Sequence, residues 1–314
     1  MKKKLNEWGK NRDPFIFLID FECKQPLAWR MDEVGDTVKF VFPGAANAVK
    51  KVQADSNIDM RRSPIDLLSY KKMFDYVKGE IEYGNSFLTN LTCRTPVTIN
   101  CTLEQLFYTT AAKYSFYLKN EFVCFSPETF VQINGNKIYS YPMKGTIDAS
   151  IPNAKQLILS DEKEKAEHAT IVDLIRNDLS RVAKRVEVNR YRYYEEIKTN
   201  LGVIGQISSE IMGELEPDFN ERIGDILFEL LPAGSVSGAP KKKTLEIIKN
   251  AEKLPRGYYT GVAGYFDGNN LDSCVLIRYV DKDNIYYSGG GITSQSNLEN
   301  EYSEMIKKIY VPIH

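Results

Sequence analysis

The residues best placed to do chemistry are carboxylates on the apolar side of a helix. In EKAEHATIVDLIRNDLSRV, Glu164 to Val182, a rotation of roughly 100° per residue puts Glu164, Glu167 and Asp178 beside Ile171, Leu174, Ile175 and Val182. An ionised carboxylate taken off the wet face costs on the order of several kcal/mol unless a cation or donors meet it. Something positive is therefore expected opposite this helix. The plainer alternative is a solvated helix edge on which Glu pairs with Lys163, Lys165 or Arg181. A second helical stretch carries Glu301, Glu304 and Lys308 at i, i+3 and i+7, flanking Tyr302, Met305, Ile306 and Ile309. Alone it reads as a salt-bridged edge. Two helices that each offer a Glu pair spaced by three could instead hold one hard cation between them. Mg²⁺ suits such a place, because it takes one or two carboxylates plus waters and ligand oxygens.

Three other places carry chemical potential. LLPAGSVSGAPKKK puts Gly234, Ser235, Ser237 and Gly238 ahead of a helix, where backbone N–H groups could face an anion or simply make a tight turn. It is not a nucleotide P-loop, because Ala-Pro follows the second glycine in place of Lys-Ser/Thr. GGGITS, around Gly289 to Gly291, ends a strand without a GxGxxG fingerprint. Lys144, in YPMKGT, is either a solvated turn lysine or, in an apolar and cation-rich pocket, an amine whose pKa falls far enough to act as base or nucleophile. Glu128 and Arg278 interrupt strand-like sequence in the same way, and each could be an outward charge.

Composition removes several function classes. The only histidines are His168 and His314, too few to build a Ser/His/Asp or Cys/His nucleophile system. Five scattered cysteines without a CxxC spacing signal neither zinc nor a disulfide framework. A net charge of -1 gives no reason to expect nucleic acid. After MKKK comes LNEWGKNRD, which lacks the apolar run of a signal peptide, and no apolar segment is long enough for a bilayer, so a cytoplasmic location is the simplest expectation.

The elements that must position these residues show in the periodicity. Strand-like runs fill 15 to 42, FLTNLTCRTPVTI, YSFYL, EFVCFS, TFVQI and KIYSY, then return at VEVNRYRYYEEI, NLGVIGQISSEI, YTGVAGYFD, SCVLIRYV and NIYYSGG. Helical periodicity marks roughly 64–83, 103–113, 161–185, 219–231, 240–252 and 296–309. Strands that follow one another without a helix between them predict an α+β class with large antiparallel sheets and surrounding helices, the first half as a β-meander. No repeat or linker divides the 314 residues, so one domain is expected.

Seven segments in order, SPETF, PMKGT, EHATIVDLIRNDLSRV, GSVSGAPK, RGYYTGVAGYF, LIR and GGGI followed by ENEYSE, resemble the chorismate-utilising enzymes over about residues 77 to 310. That family comprises anthranilate, isochorismate, salicylate and aminodeoxychorismate synthases. The Lys of PMKGT is similar to the aminodeoxychorismate (para-aminobenzoate) branch on the way to folate, where the other branches typically carry Ala. The resemblance implies the chorismate-binding fold, and Mg²⁺ held by Glu167 and Glu304 with Glu164 and Glu301 in support. It implies substrate carboxylates bound by Ser235, Tyr259, Arg278, Lys308 and the backbone of Gly291. It also implies that Lys144 adds to C2 of the ring while Glu128 acts as the acid. Implied partners are chorismate, ammonia and a glutamine amidotransferase subunit, with no nucleic acid or membrane.

Three departures from the family pattern accompany the resemblance. A His common in the strand after the RND helix is replaced by Thr199 or Asn200, in KTNLGV. The amino-terminal part, residues 1–76, is short, which puts the tryptophan pocket of longer members in question. Met143 stands for the usual Ile, a volume-tolerant change. Anthranilate or isochorismate chemistry leaves Lys144 without a role, and a degenerate chorismate-binding protein without turnover is the non-enzyme alternative.

Overall fold

The computed structural model describes residues 1–49, 58–199 and 202–312. Within them lie two sheets with every strand pair antiparallel. The first runs Met143–Asp148, Gly202–Glu214, Lys137–Ser140, Thr129–Asn134, Leu271–Val275, Val262–Phe266, Phe15–Ile19, Leu27–Arg30, and Lys184–Thr199 pairs with Gly202–Glu214. The second runs Gly238–Ala239, Leu88–Ile99, Ile285–Ile292, Tyr279–Asp281, Phe122–Ser126, Tyr114–Leu118, Val38–Phe42, Ala45–Ala46, with Met60–Arg62 beside Leu88–Ile99.

Period-two alternation explains the layering. Along Phe15–Ile19, Ile16 and Leu18 enter a core shared with Phe40, Phe116, Ala263 and Leu276, which joins the two sheets face to face. Phe15, Phe17 and Ile19 point the other way, into a core covered by Leu5 and Trp8, Ile171 and Ile175, and Ile223 and Leu227. The outer face of the second sheet is covered by Tyr70, Phe74, Leu106, Ile247 and Met305. Helices therefore sandwich two stacked sheets, and the expected α+β class is found.

The helices begin where side chains can accept from their free N–H groups. Asp66 caps Leu67–Glu82, Asp161 caps Glu162–Leu179 and Asn297 caps Leu298–Lys307. Thr102 and Gln105 form a capping box on Leu103–Thr109.

One expectation needs correction. The first half is not a meander: Phe15–Ile19 pairs with Val262–Phe266, and Leu88–Ile99 with Ile285–Ile292. Local hairpins are confined to pairs such as Tyr114–Leu118 with Phe122–Ser126. The amino terminus is also a helix, Lys2–Lys10, that buries Leu5 and Trp8; its lysines hid the apolar stripe from a reading by composition. It packs so closely on Phe219–Arg222 that a Cβ on Gly9 would lie 2.1 Å from the Asn220 carbonyl oxygen. Among the described residues no helix is long and apolar enough to cross a membrane.

Candidate active site

Nine of the eleven residues that the resemblance implies for the site, Glu128, Lys144, Glu167, Ser235, Tyr259, Arg278, Gly291, Glu304 and Lys308, line one cavity of about 370 Å³, together with Asp178. Glu164 and Glu301 lie one turn before Glu167 and Glu304 on their helices and outside the lining. The cavity is lined by strands of both sheets, among them Met143–Asp148 and Ile285–Ile292, and by the Glu162–Leu179 and Leu298–Lys307 helices.

Lys144 reaches it through an irregularity in the Met143–Asp148 strand, whose register against Gly202–Glu214 shifts between Met143 and Thr146. Gly145 takes φ +90° there, and a Cβ on it would sit 2.9 Å from Glu164 Oε2. Glycine lets the strand press against the helix. Lys144 Nζ meets Glu167 Oε2 at 2.8 Å, and Lys163 Nζ stands 3.7 Å from Glu167 Oε1. Further along the same helix Asp178 pairs with Lys241 at 3.0 Å. Two of the three inward carboxylates, Glu167 and Asp178, thus meet a cation from another element, while Glu164 has no ion pair among the described residues.

The protein's own charges at Lys144 act opposite to the expectation of a lowered pKa, which counted Mg²⁺ among the cations. Burial pulls it down, but the Glu167, Glu304 and Glu164 carboxylates together outweigh burial and raise it above its ordinary 10.5. The sequence-based expectation counted Mg²⁺, Arg278 and Lys308 around Lys144 and left out the three carboxylates.

Lys308 Nζ bonds Glu304 Oε1 at 2.7 Å and the Gly289 carbonyl at 2.9 Å. Glu304 is 49% exposed, facing the open cavity. Burial raises its pKa, yet Lys308, Lys144 and Lys163 bring the net below the usual value. Glu301 accepts from Ser296 Oγ at 2.8 Å. Burial raises Glu301, with Glu304 and Glu167 adding repulsion. Burial also raises Glu164, whose Oε2 is buried without a hydrogen-bond partner.

The donor set here suits a hard dication: oxygens only, in two Glu pairs, one with an orphaned buried oxygen. Among the described residues no three acidic or imidazole groups form a ready-made metal cage. Magnesium fits such a partial site, since it keeps waters and takes substrate oxygens.

On the opposite wall Ser235 Oγ donates to Glu128 Oε1 at 2.5 Å. Burial raises the Glu128 pKa against Ser235, Arg278 and Lys308, so its carboxyl holds a proton further up the pH scale than a solvated one. Arg278 has φ +57°, carries its guanidinium 5.0 Å from the Tyr310 ring, and has no carboxylate ion pair among the described residues. A guanidinium withdrawn from water without an anion is a site for one. Burial lifts the Tyr259 hydroxyl to about 12, so it stays protonated as a donor.

Sequence reasoning gave no role to His168, Ser209 or Arg256. His168 Nε2 lies 2.7 Å from Ser209 Oγ, and the Ser209 N–H donates to the Pro142 carbonyl at 3.0 Å, tying the Glu167 helix to the Lys144 strand. Burial lowers the His168 pKa to about 4, so the ring is neutral. Only its rank as one of two histidines could have drawn attention to it. The Thr199 side chain and Asn200, expected in place of a family His, lie outside the described residues, as does His314.

A family model described as chorismate binding enzyme matches residues 16–314. An uncharacterized PabA-like protein of Pasteurella multocida is 49% identical over 99% of this chain and 98% of its own length. Anthranilate synthase component 1 of Archaeoglobus fulgidus is 32% identical over 76% of this chain and 60% of its own. Aminodeoxychorismate synthase component 1 of Bacillus subtilis is 30% identical over 77% and 54%. The menaquinone-specific isochorismate synthase MenF of Escherichia coli superposes with a TM-score of 0.69 at 17% identity, over 97% of this chain and 79% of its own, which is a likeness of fold.

Proposed function

The chain belongs to the chorismate binding enzymes, and from that premise we propose that it is an aminodeoxychorismate synthase component I, making 4-amino-4-deoxychorismate from chorismate and ammonia. The observation that carries the reading is Lys144, whose Nζ enters the cavity against Glu167, between the two Glu pairs. An anthranilate or isochorismate synthase has no work for an amine there. The PabA-like and aminodeoxychorismate relatives support the same branch, while the 32% identical anthranilate synthase keeps a second reading in view.

In this reading Arg278, Tyr259, Lys308 and Ser235, with the Gly291 backbone, take the two substrate carboxylates. Magnesium, held by Glu167 and Glu304 with Glu164 and Glu301 in support, supplies positive charge that draws electrons from the carboxylate-bearing ring. Lys144 first gives up a proton to water and takes one back after it leaves the ring. Its amine then bonds C2 as the ring double bonds shift and the C4–O bond breaks. Glu128 donates its proton to the departing oxygen, which leaves as water. Ammonia bonds C4, the double bonds shift back, Lys144 leaves as the amine, and the carboxylate of Glu128 takes the surplus proton. One hard displacement becomes two easier ones.

With only two histidines in the chain, ammonia from glutamine requires a separate glutaminase subunit. The test is to give the purified chain chorismate, Mg²⁺ and ammonium and identify the product by mass. 4-Amino-4-deoxychorismate supports the reading, whereas anthranilate, isochorismate or no turnover refutes it.

A further inference from the structure

Behind the cavity lies a buried guanidinium that is not itself part of the lining yet bonds two lining residues, Val236 and Asn90, and the neighbour of a third, Tyr259. Arg256 is 4% exposed and follows the Lys241–Glu252 helix. All five of its N–H donors are engaged. Nε and Nη2 donate to Glu252 at 2.9 and 2.5 Å, Nη1 to the Val236 carbonyl at 2.8 Å and Thr260 Oγ1 at 3.3 Å, and Nη2 to the Asn90 carbonyl at 2.9 Å.

Each non-ionic partner adjoins a different wall of the cavity. Val236 follows Ser235, Thr260 follows Tyr259, and Asn90 is the register partner of Gly291. The hub is itself fixed from behind. Glu252 Oε1 accepts from the Thr92 N–H at 2.9 Å, Glu22 accepts from the N–H groups of Arg256 and Gly257 at 2.8 and 3.1 Å, and the guanidinium lies 4.6 Å from the Phe21 ring centre.

We propose that Arg256 is a positioning residue for substrate recognition, setting the spacing between Ser235, Tyr259 and Gly291 so that one carboxylate-bearing ring can meet all three. The inference rests on reading the cavity as the chorismate site but not on which product forms. A planar fork is what the position requires, because three carbonyl or hydroxyl oxygens and a bidentate carboxylate must be met in one plane from one point. Lysine brings three donors without that geometry.

Arg256→Lys keeps the charge beside Glu252 and loses at least two of the five bonds. With Mg²⁺ present, its chorismate Kd, measured by calorimetry, should rise about tenfold or more, as should the chorismate KM. The ammonia KM should stay within twofold, a split that general loosening of the fold would not give. Melting temperature and circular dichroism establish that the variant is folded. Should it not fold, Glu252→Asp, which draws the guanidinium back by one methylene, is expected to raise the chorismate Kd in the same direction. Folded Arg256→Lys, or in its absence folded Glu252→Asp, with a chorismate Kd within twofold of wild type overturns the proposal. Because binding is the readout, a product other than 4-amino-4-deoxychorismate would refute the proposed function and leave this inference standing.

Discussion

Glu128→Gln should push stability and activity in opposite directions. The side chain stays the same size, and the amide oxygen can still accept from Ser235 Oγ, which meets Glu128 at 2.5 Å. What is lost is the titrating proton. In the folded protein burial holds that proton above the ordinary carboxyl value of 4.5, against the pull of Ser235, Arg278 and Lys308. The stability contributed by Glu128 is thus fully present below the unfolded pKa and is lost as pH rises through the folded one. Glutamine has no such loss. The variant should therefore track the wild type below about pH 4.5 and exceed it once the pH has risen through the folded-state value. A polar group with a desolvation cost of this kind is worth on the order of 1 to 3 kcal/mol. At roughly 2 to 4 °C per kcal/mol for a domain of about 200 residues, and less for a longer chain, the melting temperature should gain a few degrees at pH 8. Without the acid, turnover should fall by roughly 10² to 10⁴. Differential scanning calorimetry at pH 5 and pH 8, with mass-detected product at pH 8, reads both arms. A melting difference that does not change with pH, or turnover within threefold of wild type, refutes the reasoning.

Lys144→Ala should bind chorismate with Mg²⁺ yet lose 4-amino product by orders of magnitude, and intact-mass spectrometry of the wild type without ammonia should show the chorismate adduct. Wild-type product rates from the variant would make Lys144 a bystander. Glu304→Ala removes a side chain 49% exposed, so stability should change by no more than about 0.5 kcal/mol while activity disappears. Turnover by the wild type that survives a chelator would count against the magnesium reading. The purified chain should use ammonium but not glutamine, and equal rates with both would remove the need for a glutaminase partner.

Local features carried most of the site. Rotation along 18 residues of Glu162–Leu179 already put Glu164, Glu167 and Asp178 on the inward side, and helical periodicity already placed that helix within roughly 161–185. Both depend on neighbours within a few positions, so sequence alone determined them. It also determined that each inward carboxylate needed a cation. Which cation was left to the tertiary structure: Lys144 for Glu167 and Lys241 for Asp178 come from a strand and a helix that no periodicity links to it. The sign of the Lys144 shift was undecidable for the same reason, since it sums contributions from Glu167, Glu304 and Glu164 that fall with distance, and distance between residues 144 and 304 exists only after folding. The pairing of Phe15–Ile19 with Val262–Phe266 and the five bonds of Arg256 are likewise products of chain closure. An alternating strand states which of its faces is apolar, but only the packed molecule decides which strand lies beside it.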